Sequence, residues 1–208
     1  PILGGKHIQK WKIKAPNKFV NYGKHLACPR DPKIFEQPKI LLREAGSEII
    51  ATYDNSNYYI MSSLYNGILI DKSFSLKYVL FVLNSEIFQF LMNLQTFSKT
   101  AGAFTKAKIF HYYPLPIKII NKNNQTISSL IVDYLLFCSA LQDSLLLRFF
   151  SNLLNACIYE IYFPTELQSA NKEIIKHLGD LKPITDSMSD EEKLAVIQSE
   201  FERLYDPN

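Results

Sequence analysis

Lysines stand where this chain could meet a phosphate. Lys10, Lys12 and Lys14 alternate with Trp11 and Ile13. In an extended strand that spacing puts the three ammonium groups on one face and the two apolar side chains on the other. Such a row suits a DNA backbone, whose contacts set affinity without reading sequence, and it equally suits a solvated strand face. A second group, Lys99, Lys106 and Lys108, surrounds Ala101-Gly102-Ala103, with Ser98, Thr100 and Thr105 as short donors. Small residues let main-chain N–H groups approach a phosphate closely. Lys39 and Arg43, four apart in an apolar run, share a strand face. Arg43 could fork onto guanine in the major groove, or it could pair with Glu44 or Glu48 as a structural bridge. Tyr53, Tyr58, Tyr59 and Tyr65 supply either sheet packing or a platform for stacked bases.

Catalytic patterns are sparse. No GxGxxG and no P-loop occurs, and Leu3-Gly4-Gly5-Lys6 lacks the strand–glycine-loop–helix setting that phosphate cradling requires. His7, His25, His111 and His177 have no neighbouring carboxylate or cysteine at ligand spacing, so no metal site and no catalytic residue is assigned. Asp180 or Asp186 followed by Glu191-Glu192-Lys193 resembles a metal-dependent nuclease pattern. Acids at a helix start, where they suit the positive end of the dipole, explain it as well. Cys138 and Cys157 lie in apolar helical sequence as small hydrophobes, and with Cys28 they fit a reducing cytoplasm. The most apolar window, 76–94, carries Lys77, Asn84, Glu86 and Gln89, which argues against a membrane span.

The elements that must position these residues fall in two halves of opposite charge. Residues 1–120 hold 16 Lys+Arg and 7 Asp+Glu, whereas 121–208 hold 7 Lys+Arg and 13 Asp+Glu. A basic half meets a polyanion, and an acidic half is kept from one. In the basic half, strands are expected at 39–43, 49–53, 58–61 and 67–70, giving a small, mostly antiparallel sheet. Ser73 or Ser75 would cap one helix over roughly 75–95, with Leu76, Val79, Leu80, Leu83, Ile87, Phe90, Leu91 and Leu94 on its buried face. Asn121–Gln125 marks the boundary between domains 1–120 and 121–208. Beyond it, Ile127, Ile131, Tyr134, Cys138, Leu141 and Leu145 make a heptad-like seam that continues through Phe149, Leu153, Cys157 and Ile161. One long helix or a helical hairpin follows, ended by Pro164. Residues 170–206 give two shorter helices, the last with a Ser189/Glu192 capping box. The class is α+β, with a helical arm. Pro1 in place of an initiator Met reads as a piece of a longer chain.

Several segments together carry a family likeness. They are Gly-Lys-His-Ile-Gln-Lys-Trp at 5–11, Pro-Lys-Ile-Leu-Leu-Arg at 38–43 and Ala-Thr-Tyr-Asp at 51–54. Tyr-Val-Leu-Phe-Val-Leu-Asn-Ser at 78–85, Gly-Ala-Phe-Thr-Lys-Ala-Lys at 102–108 and Tyr-Pro-Leu-Pro-Ile at 113–117 complete the set. This resembles the TaqI-like C-terminal specificity domain, the target recognition domain of adenine-N6 DNA methyltransferases and of type II restriction enzymes fused to them. Leu154–Tyr162 resembles a helix that often follows in that family, although Phe163-Pro164-Thr165 stands where Gly-Leu-Thr is usual.

The likeness implies a restriction-modification role in DNA binding. The domain would grip double-stranded DNA beside a methyltransferase domain of the same parent chain. That domain would flip out an adenine and methylate it with S-adenosylmethionine. The Asn/Asp-Pro-Pro-Tyr/Phe tetrapeptide does not occur here, so these residues should neither methylate nor cut, and they should hold no cofactor. A specificity subunit of a multi-subunit restriction system is the nearest rival. A helical protein-interaction module is the rival from another class, and a free-standing nuclease is the third.

Overall fold

The computed structural model describes residues 1–46, 48–96 and 108–205. The chain divides into two compact units, Pro1–Ile117 and Lys118–Asn208, and its class is α+β.

The first unit is built from short strands: β1 Ile2–Leu3, β2 Ile8–Gln9, β3 Lys12–Ile13, β4 Lys39–Arg43, β5 Ala51–Asp54, β6 Tyr59–Ile60 and β7 Leu64–Gly67. β4 is the middle of an antiparallel sheet of order β5-β4-β7, with Leu41 opposite both Thr52 and Asn66. Residues 39–42 are all buried, with Ile40, Leu41 and Leu42 as the apolar run of a covered central strand. β1 lies parallel to β6, and β2 and β3 form a hairpin. Leu3, Ile8, Leu41 and Leu64, from four of these strands, share one core cluster.

Three expectations change here. The strand expected at 67–70 runs instead over Leu64–Gly67, because these residues register with Arg43 to Ile40 and use up the length of β4. Leu69 and Ile70, beyond that pairing, are exposed. The row of Lys10, Lys12 and Lys14 is not one strand face, because Lys10 and Trp11 form the turn between β2 and β3. Trp11 sits at φ 65° and is buried from that turn, not by strand alternation.

The single helix expected near 75–95 is two, α1 Leu76–Leu83 and α2 Glu86–Thr96. Ser75 Oγ caps α1 by accepting from the Tyr78 N–H at 2.9 Å. The break falls at Asn84-Ser85, where both side chains are buried and engaged. Asn84 Oδ1 accepts from the Ala51 N–H at 3.2 Å, and its Nδ2 donates to the Ala51 carbonyl at 3.0 Å. Ser85 Oγ then accepts from the Phe88 N–H at 3.3 Å, opening α2. Gln89 Oε1 accepts from the Ile49 N–H at 2.6 Å. The two helices therefore satisfy the polar backbone of the segment that enters β5.

The second unit is a helical hairpin with additions. Asn121 caps α3, Lys122–Leu141, by accepting from the Asn124 N–H at 2.8 Å. Gln142, left-handed at φ 62°, ends α3, and Asp143 caps α4, Ser144–Tyr162. The turn resets the helical phase. The buried row on α4 is Leu146, Phe150, Leu154, Cys157, Ile158 and Ile161, so the expected seam is off by one at Leu145, Phe149 and Leu153. Leu145 is exposed. Pro164 opens α5, Pro164–Ser169, and α6 spans Asp190–Tyr205. At the start of α6, Ser189 and Glu192 exchange backbone bonds at 2.7 and 3.2 Å, the reciprocal box expected of them. No helix among the described residues is long and apolar enough to cross a membrane.

Candidate nucleic-acid interface

The predicted contact residues separate once the fold places them. Lys39 is removed from any surface role. Its side chain is fully buried, pairs with Asp54 Oδ2 at 2.5 Å and donates to the Phe35 carbonyl at 2.5 Å. Asp54 also accepts from the Ser56 N–H at 2.8 Å and the Tyr58 N–H at 3.2 Å. The pair thus ties β4 to β5 and to the turn after it. A buried charge of this kind persists only with its partner and its hydrogen bonds.

Arg43 pairs with neither Glu44 nor Glu48 among the described contacts. Its Nε donates to the Gly5 carbonyl at 2.9 Å and a terminal nitrogen donates to the Ile8 carbonyl. Carbonyls orient a guanidinium without neutralising it, so Arg43 clamps the segment 5–8 and keeps its charge. Lys10 and Lys12 are half-buried, each engaged within the structure, while Lys14 is exposed. Lys99 and Lys106 lie outside the described residues. Lys108 is exposed and pairs with Glu44 Oε1 at 3.1 Å. A surface pair of that kind contributes little and exchanges readily for another anion.

The tyrosines are engaged in packing. The ring of Tyr59 lies 4.5 Å from that of Tyr22 and 4.8 Å from that of Phe35. The Tyr59 hydroxyl donates to Glu36 at 2.6 Å, and that bond, with desolvation second, pushes its pKa up to about 12. Tyr53 lies under the Lys77 ammonium, 5.5 Å from the ring centroid.

The fold also gathers cations that the sequence pattern does not join. Lys6, Lys18 and Arg43 line a cavity of about 480 Å³, with Gly4, Met61 and Ser63 among the other walls. Among the described residues no acidic side chain lines it. Lys6 and Lys18 are exposed, and none of the three cations has an ion-pair partner among the described residues. Its floor is fixed by local bonds. The Gly4 N–H donates to His7 Nδ1 at 2.8 Å, which leaves the imidazole proton on Nε2, and the Gly5 N–H donates to Ser63 Oγ at 2.9 Å. No sequence window holds residues 6, 18, 43 and 63 together. The only local signal was the density of lysine before residue 25.

Among the described residues no group of three His, Cys, Asp or Glu side chains could hold a metal ion. The acids at 190–192 are the first turn of α6, where main-chain and Ser189 hydrogen bonds hold the Glu191 carboxyl below the usual carboxylate range.

The first unit is a basic assembly of small sheets and two helices in which Lys6, Lys18 and Arg43 line one cavity. Residues 1–117 match the TaqI-like C-terminal specificity domain, and the chain belongs to that family. The family comprises non-catalytic specificity domains of DNA methyltransferases, in the setting of restriction and modification. No curated protein matches the chain.

Proposed function

We propose that residues 1–117 recognise a short sequence in double-stranded DNA for an adenine-N6 methyltransferase domain of the same parent chain. The observation that carries this reading is the family match, whose span coincides with the basic unit. Those residues hold 15 Lys+Arg against 7 Asp+Glu, so the unit attracts DNA at long range and releases counterions on contact. The contacts expected are of two kinds. Exposed lysines, Lys14 and Lys108 among them, hold the backbone and set register. Lys99 and Lys106 are proposed as further backbone contacts. Bases are read by side chains presented to a groove.

Methyl transfer belongs elsewhere in the parent. No Asn/Asp-Pro-Pro-Tyr/Phe tetrapeptide stands in these 208 residues, so they do not fit S-adenosylmethionine chemistry, and no step of it is assigned to them. The acidic helical unit is repelled by DNA and leaves the grip to the basic one. The setting proposed is the cytoplasm, where the three free cysteines stay reduced.

Selection from a random duplex pool, repeated over a salt series, tests the reading. The expected result is affinity that falls steeply with salt and enrichment of one short site. Binding without enrichment would reduce the domain to a non-specific DNA holder. Absence of binding at low salt would end the proposal.

A further inference from the structure

We infer that the cavity lined by Lys6, Lys18 and Arg43 seats one phosphate ester of a nucleotide, and that in duplex DNA it holds a single backbone phosphodiester. The inference rests on the DNA-recognition reading and adds a site to it. Three cationic residues from separate chain segments line the cavity, and no described wall residue carries a carboxylate to neutralise them. Surface lysines usually stand apart, in solvent or beside acids. Three cations around one concavity with no counter-charge focus a positive potential into it.

The geometry is preformed. Arg43 is held by the Gly5 and Ile8 carbonyls, so its charge is fixed in place before any ligand arrives. The Ile2 N–H donates to the Lys18 carbonyl at 3.0 Å, which ties the backbone of Lys18 to β1. Gly4 presents no side chain to the cavity, and Met61 gives it an apolar wall.

The way the site reads its ligand follows from what is already engaged. The Gly4 and Gly5 N–H groups are bonded to His7 and Ser63, so they are not available as a main-chain phosphate cradle. Recognition falls to side-chain cations, with Ser63 Oγ free to donate its own proton. A volume of about 480 Å³ exceeds one phosphate and admits the attached sugar beside Met61. Such a seat fixes the register of the domain along the strand and carries no base preference.

The experiment is a salt series on the full chain with a random duplex pool, comparing wild type, Lys6→Ala/Lys18→Ala and Lys6→Arg/Lys18→Arg. Losing one phosphate contact should make the slope of log affinity against log salt shallower by about one, equally for every sequence in the pool. The arginine pair should restore the slope. Fluorescence of Trp11, the only tryptophan, reports whether the unit remains folded through the changes. If wild type binds and the alanine pair keeps the wild-type slope, the seat is refuted while DNA recognition stands.

A second arm titrates adenosine monophosphate against the Gly5 and Ser63 amide resonances. Suppose wild type binds no duplex but binds the mononucleotide, and the alanine pair does not. Then the phosphate-ester seat holds, its source is a free nucleotide, and the DNA reading is the one that fails. No response to either probe overturns both.

Discussion

The two units of this chain hold themselves together by different means. In Pro1–Ile117 the strands run from two to five residues, and the ties between them are polar and long in sequence. Lys39 binds Asp54, Arg43 binds Gly5 and Ile8, Asn84 binds Ala51, and Gln89 binds Ile49. In Lys118–Asn208 the bonds that open the helices are between near neighbours, and the long-range bonds, such as Lys118 to the Ile161 carbonyl and the Ile174 and Ile175 N–H groups to Glu160, fasten the segments around the helices. Asn121, Asp143 and Ser189 cap the helices that follow them, and α3 packs on α4 through apolar side chains. A unit made of very short strands has too little ladder to define itself, so specific buried polar pairs supply its geometry. Long helices are defined chiefly by caps and a seam, and the long-range bonds of this unit hold the segments that join them.

That contrast predicts how each unit fails. The largest effect is expected from Asp54→Ala, which strands the buried Lys39 ammonium and opens the 54–58 turn. Breaking a buried pair costs about 3–5 kcal/mol, read by urea unfolding through Trp11 fluorescence. Replacing both partners, as Lys39→Met/Asp54→Asn, should recover most of the loss. If the double variant is no better than the single, the pair is not the tie that matters.

Asn84→Ala should come next, at about 1–3 kcal/mol, since both Ala51 backbone groups lose a partner. Asn84→Asp should be nearly as harmful, because it keeps the acceptor and loses the donor. In the helical unit Asp143→Ala should cost only about 1 kcal/mol, the value of one cap, measured by urea unfolding monitored by helical circular dichroism. A loss at Asp143 that equals the loss at Asp54 would erase the distinction between the units.

The gentlest test is alkaline. Burial pushes the Cys138 and Cys157 thiols up from 9.0 to about 12. Between those values the unfolded chain has released protons that the folded one retains. The thiol contribution to stability should therefore be flat below pH 9 and fall as pH rises from 9 toward 12. At pH 8 a disulfide reagent should label Cys28 at once and the other two only on unfolding.

What could be read from sequence followed the same divide. Ser75 and the Ser189/Glu192 box were legible because a cap and its target lie within three residues, whereas Asn121–Gln125, read as a polar linker, is the cap and first turn of α3. The break at Asn84-Ser85 was not, since the apolar spacing from Leu76 to Leu94 continues through it and the partner, Ala51, is 33 residues away. Lys39 looked like the polar flank of an apolar strand until Asp54 was seen opposite it. Alternation around Trp11 suggested a strand face because periodicity does not reveal a two-residue turn. The offset on α4 arose in one left-handed residue, Gln142. The cation-lined cavity needed the fold itself, because its residues come from four separate segments.

The pair of hydrogen bonds between Asn84 and Ala51 has a consequence for how copies of this protein meet. β5 is an outer strand of its sheet, and an outer strand normally offers a row of unused amides on which a second chain can extend the sheet. Here the side-chain amide of a helix terminus occupies the outward donor and acceptor of Ala51, and Gln89 occupies the donor of Ile49 just before it. The margin is sealed from within by the helices that follow it. Loss of Asn84 should therefore show in the concentration dependence of light scattering as well as in stability, with the variant growing by edge-to-edge association while the wild type stays dispersed.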